Sequence, residues 1–171
     1  MKKNIKFVIS LIFFGLLFMF NSFAEERIGI DYKSQLLPSG VHFSIQQKID
    51  PRGRYIASSG LSITNKGYGV LEVYADTLAY EAVKKIKMTI YLDQWNEDEN
   101  DWVQIDSKSM TYEYDGGDED LHEVSESFLV ENLETEKYYR LRGLHAVWSF
   151  DGFMESHATM TDGVLLTSGP T

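Results

Sequence analysis

Residues Leu133 to Met160 read LETEKYYRLRGLHAVWSFDGFMESHATM, and this stretch decides the fold. Two alternating runs flank Asp151-Gly152. An Asp-Gly pair between alternating residues marks a β-hairpin, because both central positions of a type I′ turn need φ > 0. A two-residue turn pairs Phe150 with Phe153, Trp148 with Glu155, Ala146 with His157 and Leu144 with Thr159 on one face. The other face pairs Ser149 with Met154, Val147 with Ser156, His145 with Ala158 and Gly143 with Met160, and runs back through Leu141 to Tyr139. That second set matches large residues against small ones, as a packed face should. Tyr139, Leu141, Gly143, His145, Val147, Met154, Ala158 and Met160 are therefore expected to face a core. Arg140, Arg142, Leu144, Trp148, Glu155 and His157 are expected to point outward.

Partners for this hairpin lie upstream. Tyr55 to Thr64 alternates through Leu61 and Ile63 and is expected to turn at Asn65-Lys66-Gly67. Tyr68 to Ala75 points Leu71, Val73 and Ala75 one way. The clearest strand is Lys84 to Trp95, where Ile86, Met88, Ile90 and Leu92 alternate with Lys85, Lys87, Thr89 and Tyr91. Trp102 to Tyr114 is long enough for two short strands, and Leu121 to Val130 places Val124, Phe128 and Val130 inward. A helix over Asp76 to Lys87 is the strongest rival, but it is too short and gives way too quickly to strand periodicity. About seven short strands with turn signals between them predict an all-β, antiparallel two-sheet sandwich. Leu133 followed by Tyr139 resembles the tyrosine corner of fibronectin type III and immunoglobulin-like domains, in which a tyrosine hydroxyl bonds backbone upstream.

The chain's 171 residues suffice for one domain with a substantial core. There is no cysteine, which excludes disulfides, thiolate metal sites and an acylated lipoprotein anchor. A formal charge of −10 argues against nucleic acid and anionic membranes as partners. Lys2, Lys3 and Lys6, the apolar run from Phe7 to Phe20 and the small residues around Ser22-Phe23-Ala24 read as a signal peptide over residues 1–24. The run is too short to span a bilayer comfortably, so no stable membrane insertion is expected after cleavage and the product is expected outside the cell. Secretion without disulfides suits a Gram-positive bacterium. Residues 25–54, punctuated by Pro38, Gly40, Pro51 and Gly53, read as a linker or loosely packed arm with a short extended piece at Val41 to Ile45. The sandwich is expected over residues 55–166, with a tail at 167–171.

Several runs carry a more specific resemblance. They are Asp50-Pro51-Arg52 with Tyr55-Ile56, Leu61-Ser62-Ile63 with Gly67, and Lys85-Ile86-Lys87 leading to Tyr91-Leu92 and two tryptophans. Tyr138-Tyr139-Arg140-Leu141-Arg142-Gly143-Leu144-His145 and Thr161-Asp162-Gly163-Val164 complete the set. Together they resemble a family of small secreted proteins of Gram-positive, clostridial-type bacteria, known as a domain of unknown function. The resemblance implies a secreted β-sandwich and brings no activity, ligand, cofactor or catalytic residue.

No HExxH, paired-histidine or GxSxG pattern is present, so neither a transition-metal site nor a hydrolase elbow is expected, and the chain reads as a non-enzyme without cofactor. His145 reads as a neutral core histidine with a hydrogen-bond partner. Asp115, Asp118, Glu119 and Asp120, next to Gly116-Gly117, are the better of two acidic loops for calcium; the bland alternative is a solvated loop that keeps strand edges soluble. The aromatic residues are the most informative. Trp148, Phe150 and Phe153 collect at the hairpin tip with Asp151 and with Tyr80 from a neighbouring loop, while Trp95 and Trp102 flank the other acidic loop at the opposite end. Such clusters either cap a sandwich or recognise a glycan or protein surface. The function expected is an extracellular binding or adhesion module. The alternatives are an envelope-associated structural domain without a small ligand and a secreted antibacterial sandwich.

Overall fold

The computed structural model describes residues 33–171. The expected signal peptide lies outside the described residues. Among the described residues nine strands follow one another: β1 Phe43–Ile49, β2 Ile56–Gly67, β3 Val70–Ala79, β4 Lys85–Asn96, β5 Asp101–Glu113, β6 Glu123–Val130, β7 Lys137–Trp148, β8 Met154–Met160 and β9 Val164–Leu166. They form two antiparallel sheets, β1-β2-β3-β6 and β5-β4-β7-β8, with β9 pairing β7 beyond the end of β8. The sheets stack as an open sandwich of immunoglobulin or fibronectin III type, as the alternation predicts. β5 is a single strand of 13 residues rather than two short ones.

Period-two burial drives the stacking. Leu61 and Ile63 of β2, Leu71, Val73 and Ala75 of β3, Ile86, Met88, Ile90 and Leu92 of β4, and Tyr139, Leu141 and Val147 of β7 meet between the sheets. At about 25 cal/mol per Å² of apolar surface, each buried Val, Leu, Ile or Met side chain among them contributes roughly 1.5–3 kcal/mol. The tyrosine corner is present: the Tyr139 hydroxyl donates to the carbonyl of Glu134 (2.9 Å) and accepts from Gln94 Nε2 (3.1 Å).

Side chains close the two open sides. At one side Tyr112 of β5 donates to Glu126 of β6, and Lys108 lies 3.9 Å from the ring centroid of Phe128. At the other side Gln46 and Ser44 of β1 accept the backbone N–H groups of Met160 and Asp162. These bonds, and the bridge of Leu36 to Gly163, bring residues 36–49 onto the sandwich.

Two turns differ from expectation. The β2–β3 turn is Tyr68-Gly69, with φ of 53° and 75°, two residues beyond the expected Asn65-Lys66-Gly67. Asn65 is buried instead, and its amide ties down the C-terminal segment through Leu165 O (2.9 Å) and Thr167 Oγ1 (3.1 Å).

The β7–β8 hairpin carries the larger correction. Ser149 N–H bonds Phe153 O (2.9 Å), Gly152 N–H bonds Ser149 O (3.2 Å), and Gly152 has φ 89°. The connection is therefore a three-residue loop, Phe150-Asp151-Gly152, a turn closed by a left-handed glycine rather than a two-residue type I′ turn. The register moves by one: His145 opposes His157, Ala146 opposes Ser156 and Trp148 opposes Met154. A slip of one residue exchanges the faces of a strand. His157 and Thr159 accordingly enter the core, Glu155 turns toward β2, and Met154 and Ala158, expected inside, do not. The expected pairs Phe150–Phe153, Trp148–Glu155, Ala146–His157 and His145–Ala158 do not form.

Candidate functional site

The end of the sandwich carrying the β7–β8 loop is built from four segments. Glu155, the second residue of β8, directs its carboxylate at the start of β2 and accepts the N–H groups of Arg54 (3.2 Å), Tyr55 (2.6 Å) and Ile56 (2.8 Å). Burial works to raise its pKa, but those three donors outweigh it and hold the carboxyl below its ordinary range. The bonds fix Arg54 and Tyr55 beside the loop. The Tyr55 hydroxyl donates to Asp151 Oδ1 (3.1 Å), and Arg54 pairs with Asp151 Oδ2 at 3.5 Å. The Arg54 guanidinium carbon lies 4.5 Å from the Phe153 ring centroid and 5.0 Å from that of Tyr55, within cation–π range of both. Ser149 hydrogen-bonds Asp151, and this bond leads in holding the Asp151 pKa below its usual value.

The sequence-predicted aromatics gather here. Phe150 meets Tyr114 edge to face at 5.4 Å. Lys85 Nζ sits 5.0 Å from the half-buried Trp148 ring. Tyr80, from the β3–β4 loop, anchors the same end through its N–H to Tyr55 O (2.9 Å) and its hydroxyl to Asp50 O (2.8 Å). Phe150 and Phe153 nevertheless remain 56% and 53% exposed, with Met154 and Tyr80 exposed as well. The result is a pinned apolar surface: its side chains face solvent while backbone and base are held by charged hydrogen bonds. Arg54, Tyr114 and Met154 join it without having been expected there.

At the opposite end Trp95 and Trp102 are directly paired across β4 and β5, their centroids 5.3 Å apart at 68°. Arg140 stacks on Trp102 at 4.6 Å. The Trp102 ring lies over Gly163, where a Cβ would come within 2.6 Å of it. Arg140 Nε and Arg142 Nε both bond the buried Asp93 Oδ2, at 2.9 and 2.8 Å. The tryptophans thus cap this end on a charged cluster.

In the acidic loop, Asp115 Oδ1 accepts the N–H of Gly117 (2.9 Å), a local turn rather than a converging ligand set. Among the described residues no group of three or more His, Asp or Glu side chains is arranged to hold a metal ion.

The corrected register assembles a polar network in the core that the sequence reading did not foresee. Ser59 and Thr77 pair across β2 and β3, and His145 and His157 pair across β7 and β8. Between the sheets, Thr77 Oγ1 lies 2.8 Å from His145 Nδ1, and Thr159 Oγ1 lies 2.9 Å from His145 Nε2. Ser59 Oγ lies 3.3 Å from His157 Nδ1, and Asp50 Oδ2 lies 3.5 Å from His157 Nε2. Burial first, and His157 second, push the His145 pKa down to about 4; burial also leads in lowering that of His157. Ser59, His157 and Asp50 follow the order nucleophile, base, carboxylate, yet Ser59 is 0% exposed. A serine sealed between two sheets is out of reach of a substrate.

Fold and site together define an all-β sandwich of immunoglobulin or fibronectin III type whose described residues include no helix long and apolar enough to cross a membrane. No family model matches the chain, and no curated protein matches it.

Proposed function

We propose that this chain is a secreted, non-enzymatic binding module that engages a glycan or protein surface through the β7–β8 loop end. The observation that carries the reading is the pairing of exposure with rigidity. Phe150 and Phe153 are more than half exposed on a loop held by Ser149, Tyr55 and Arg54 through Asp151. Folding has already ordered these rings, so a partner would lose little conformational entropy in meeting them. Large aromatics on a rigid scaffold are the usual source of binding energy at recognition loops. The net charge of −10 favours a neutral glycan or a basic protein patch over an anionic polymer. The sealed Ser59 supports a structural role for an arrangement that imitates a hydrolase relay. Export is supported by the sequence pattern of residues 1–24, and membership of the secreted clostridial-type family by the runs quoted above.

The test is a glycan-array and surface-protein capture screen with the purified protein, run beside the Phe150→Ala, Phe153→Ala double variant. A ligand captured by the parent and lost by the variant supports the reading. A ligand held equally by both moves the site elsewhere, the Trp95–Trp102 end first.

A further inference from the structure

Strand β1 is amphipathic in the reverse sense. Its inward residues are polar: Ser44 and Gln46 bond the backbone of Asp162 and Met160, and Lys48 lies close enough to depress the His157 pKa. Its outward residues are Phe43, Ile45, Gln47 and Ile49, of which the three apolar ones are 60%, 65% and 68% exposed. β1 is also the edge of its sheet. His42 O accepts from Asn65 N–H and Asp50 N–H donates to Ala57 O, so the even-numbered residues form the hydrogen-bonded pairs with β2. The N–H and C=O groups of Phe43, Ile45, Gln47 and Ile49 therefore point away from β2. Among the described residues, one row offers both an open backbone edge and an apolar surface, a combination that edge strands ordinarily avoid with charge or proline.

We propose that β1 pairs antiparallel with β1 of a second copy, joining the two four-stranded sheets across a two-fold axis at Gln46. Charge and register select this occupant. β1 carries no carboxylate, and the β2 residues beside it on the outer face are Ser58, Gly60, Ser62 and Thr64, in a chain with 26 acidic residues. This strip lets two strongly negative copies meet with no carboxylate in the seam itself; the Asp76 carboxylate lies over Gly60, one strand back from β1. With the axis at Gln46, Phe43 lies opposite Ile49 of the other copy and Ile45 opposite Gln47, so the apolar row is continuous. The single charge, Lys48, falls opposite Ser44 rather than its own image. Every outward N–H and C=O of the seven-residue strand then finds a partner, because the odd-numbered residues become the hydrogen-bonded pairs.

Sedimentation equilibrium across the micromolar range, combined with residue-resolved amide exchange, tests this. The expected result is twice the chain mass, with the Ile45 and Gln47 amides protected. Ile45→Pro removes only an outward N–H, so it leaves the β1–β2 ladder intact and should give a folded monomer with unchanged near-UV circular dichroism. Ile45→Lys, which keeps the backbone but adds a charge to the apolar row, should weaken association as well. A parent that is monomeric throughout overturns the proposal. A dimer that survives Ile45→Pro, or one in which the Ile45 amide exchanges freely, overturns it equally.

Discussion

His145 and His157 stand directly opposite one another on β7 and β8, both buried, each held through Nδ1 by a hydroxyl of the facing sheet. Burial disfavours a proton on either imidazole, most strongly on His145, while Asp50, 3.5 Å from His157 Nε2, works the other way on His157. Folding stability consequently depends on pH in a determined direction. Well above pH 6.5 His145 is neutral in folded and unfolded chains alike and contributes no pH dependence. Between 6.5 and about 4 the unfolded chain takes up the proton and the folded one does not, so stability falls as the solution is acidified and levels off below the folded value. The full drop corresponds to about 3 kcal/mol. His157 adds in the same direction, while the Glu155 carboxyl, depressed from 4.5, contributes only at the acid end. Urea midpoints measured from neutral pH downward should show the loss, and His145→Gln should flatten the upper part of the profile. An unchanged profile in that variant would assign the titration to another group.

Gly143 is required by the same network. It pairs with Thr159, and a Cβ there would come within 2.5 Å of Thr159 Oγ1 and 2.9 Å of His145 Nε2. The His145 ring reaches Thr159 only because position 143 is bare. Gly143→Ala should destabilise the fold by about 1–3 kcal/mol through overpacking. Differential scanning calorimetry would show this as a lowered Tm.

Tyr139→Phe removes the hydroxyl shared by Glu134 O and Gln94 Nε2 while keeping the buried ring. The expected cost is about 1–3 kcal/mol, that of leaving buried polar partners unsatisfied. Leu133 is only half-buried, so Leu133→Ala should cost less than truncating the fully buried Leu141. Equal denaturation midpoints for the parent and Tyr139→Phe would deny the corner a stabilising role.

These effects also mark what could be read in advance. Alternation exposes a strand when one face is apolar and buried, so β3, β4 and β7 were legible through Leu71 to Ala75, Ile86 to Leu92 and Tyr139 to Val147. The same rule fails for β1, whose apolar residues face outward and whose inward side chains bond backbone instead. Asp151-Gly152 signalled a hairpin but left two turn types open, and the choice sets which face of β8 is buried. Ser149 held the missing information: its N–H and hydroxyl both bond Phe153, which lengthens the loop to three residues. Had the loop been counted that way, His157 would have fallen beside His145 and the buried network would have been visible. Trp95 and Trp102 were legible only as flanking the acidic loop; the β4–β5 register then sets them directly opposite one another.

The last prediction concerns the β7–β8 loop and follows from what each aromatic touches. Phe153 stacks on Arg54, and Arg54 in turn pairs with Asp151, so the ring both offers apolar surface and screens an ion pair. Phe150 leans on Tyr114 and carries no load in the core. Trp148 is half-buried under Lys85 and is the poorer probe, since truncating it would disturb packing. Replacing Phe150 and Phe153 by alanine should therefore leave the denaturation midpoint nearly unchanged, as surface substitutions usually do, within about 0.5 kcal/mol. Ligand capture should fall by at least about 2 kcal/mol in binding energy, roughly thirtyfold in Kd, if these rings are the recognition surface. Arg54→Met supplies the complementary readout. It keeps an apolar stem against Phe153 but removes the charge from Asp151, so it should loosen the loop and speed dissociation more than it slows association. Equal dissociation rates for parent and Arg54→Met would show that the pinning of the loop does not contribute to recognition.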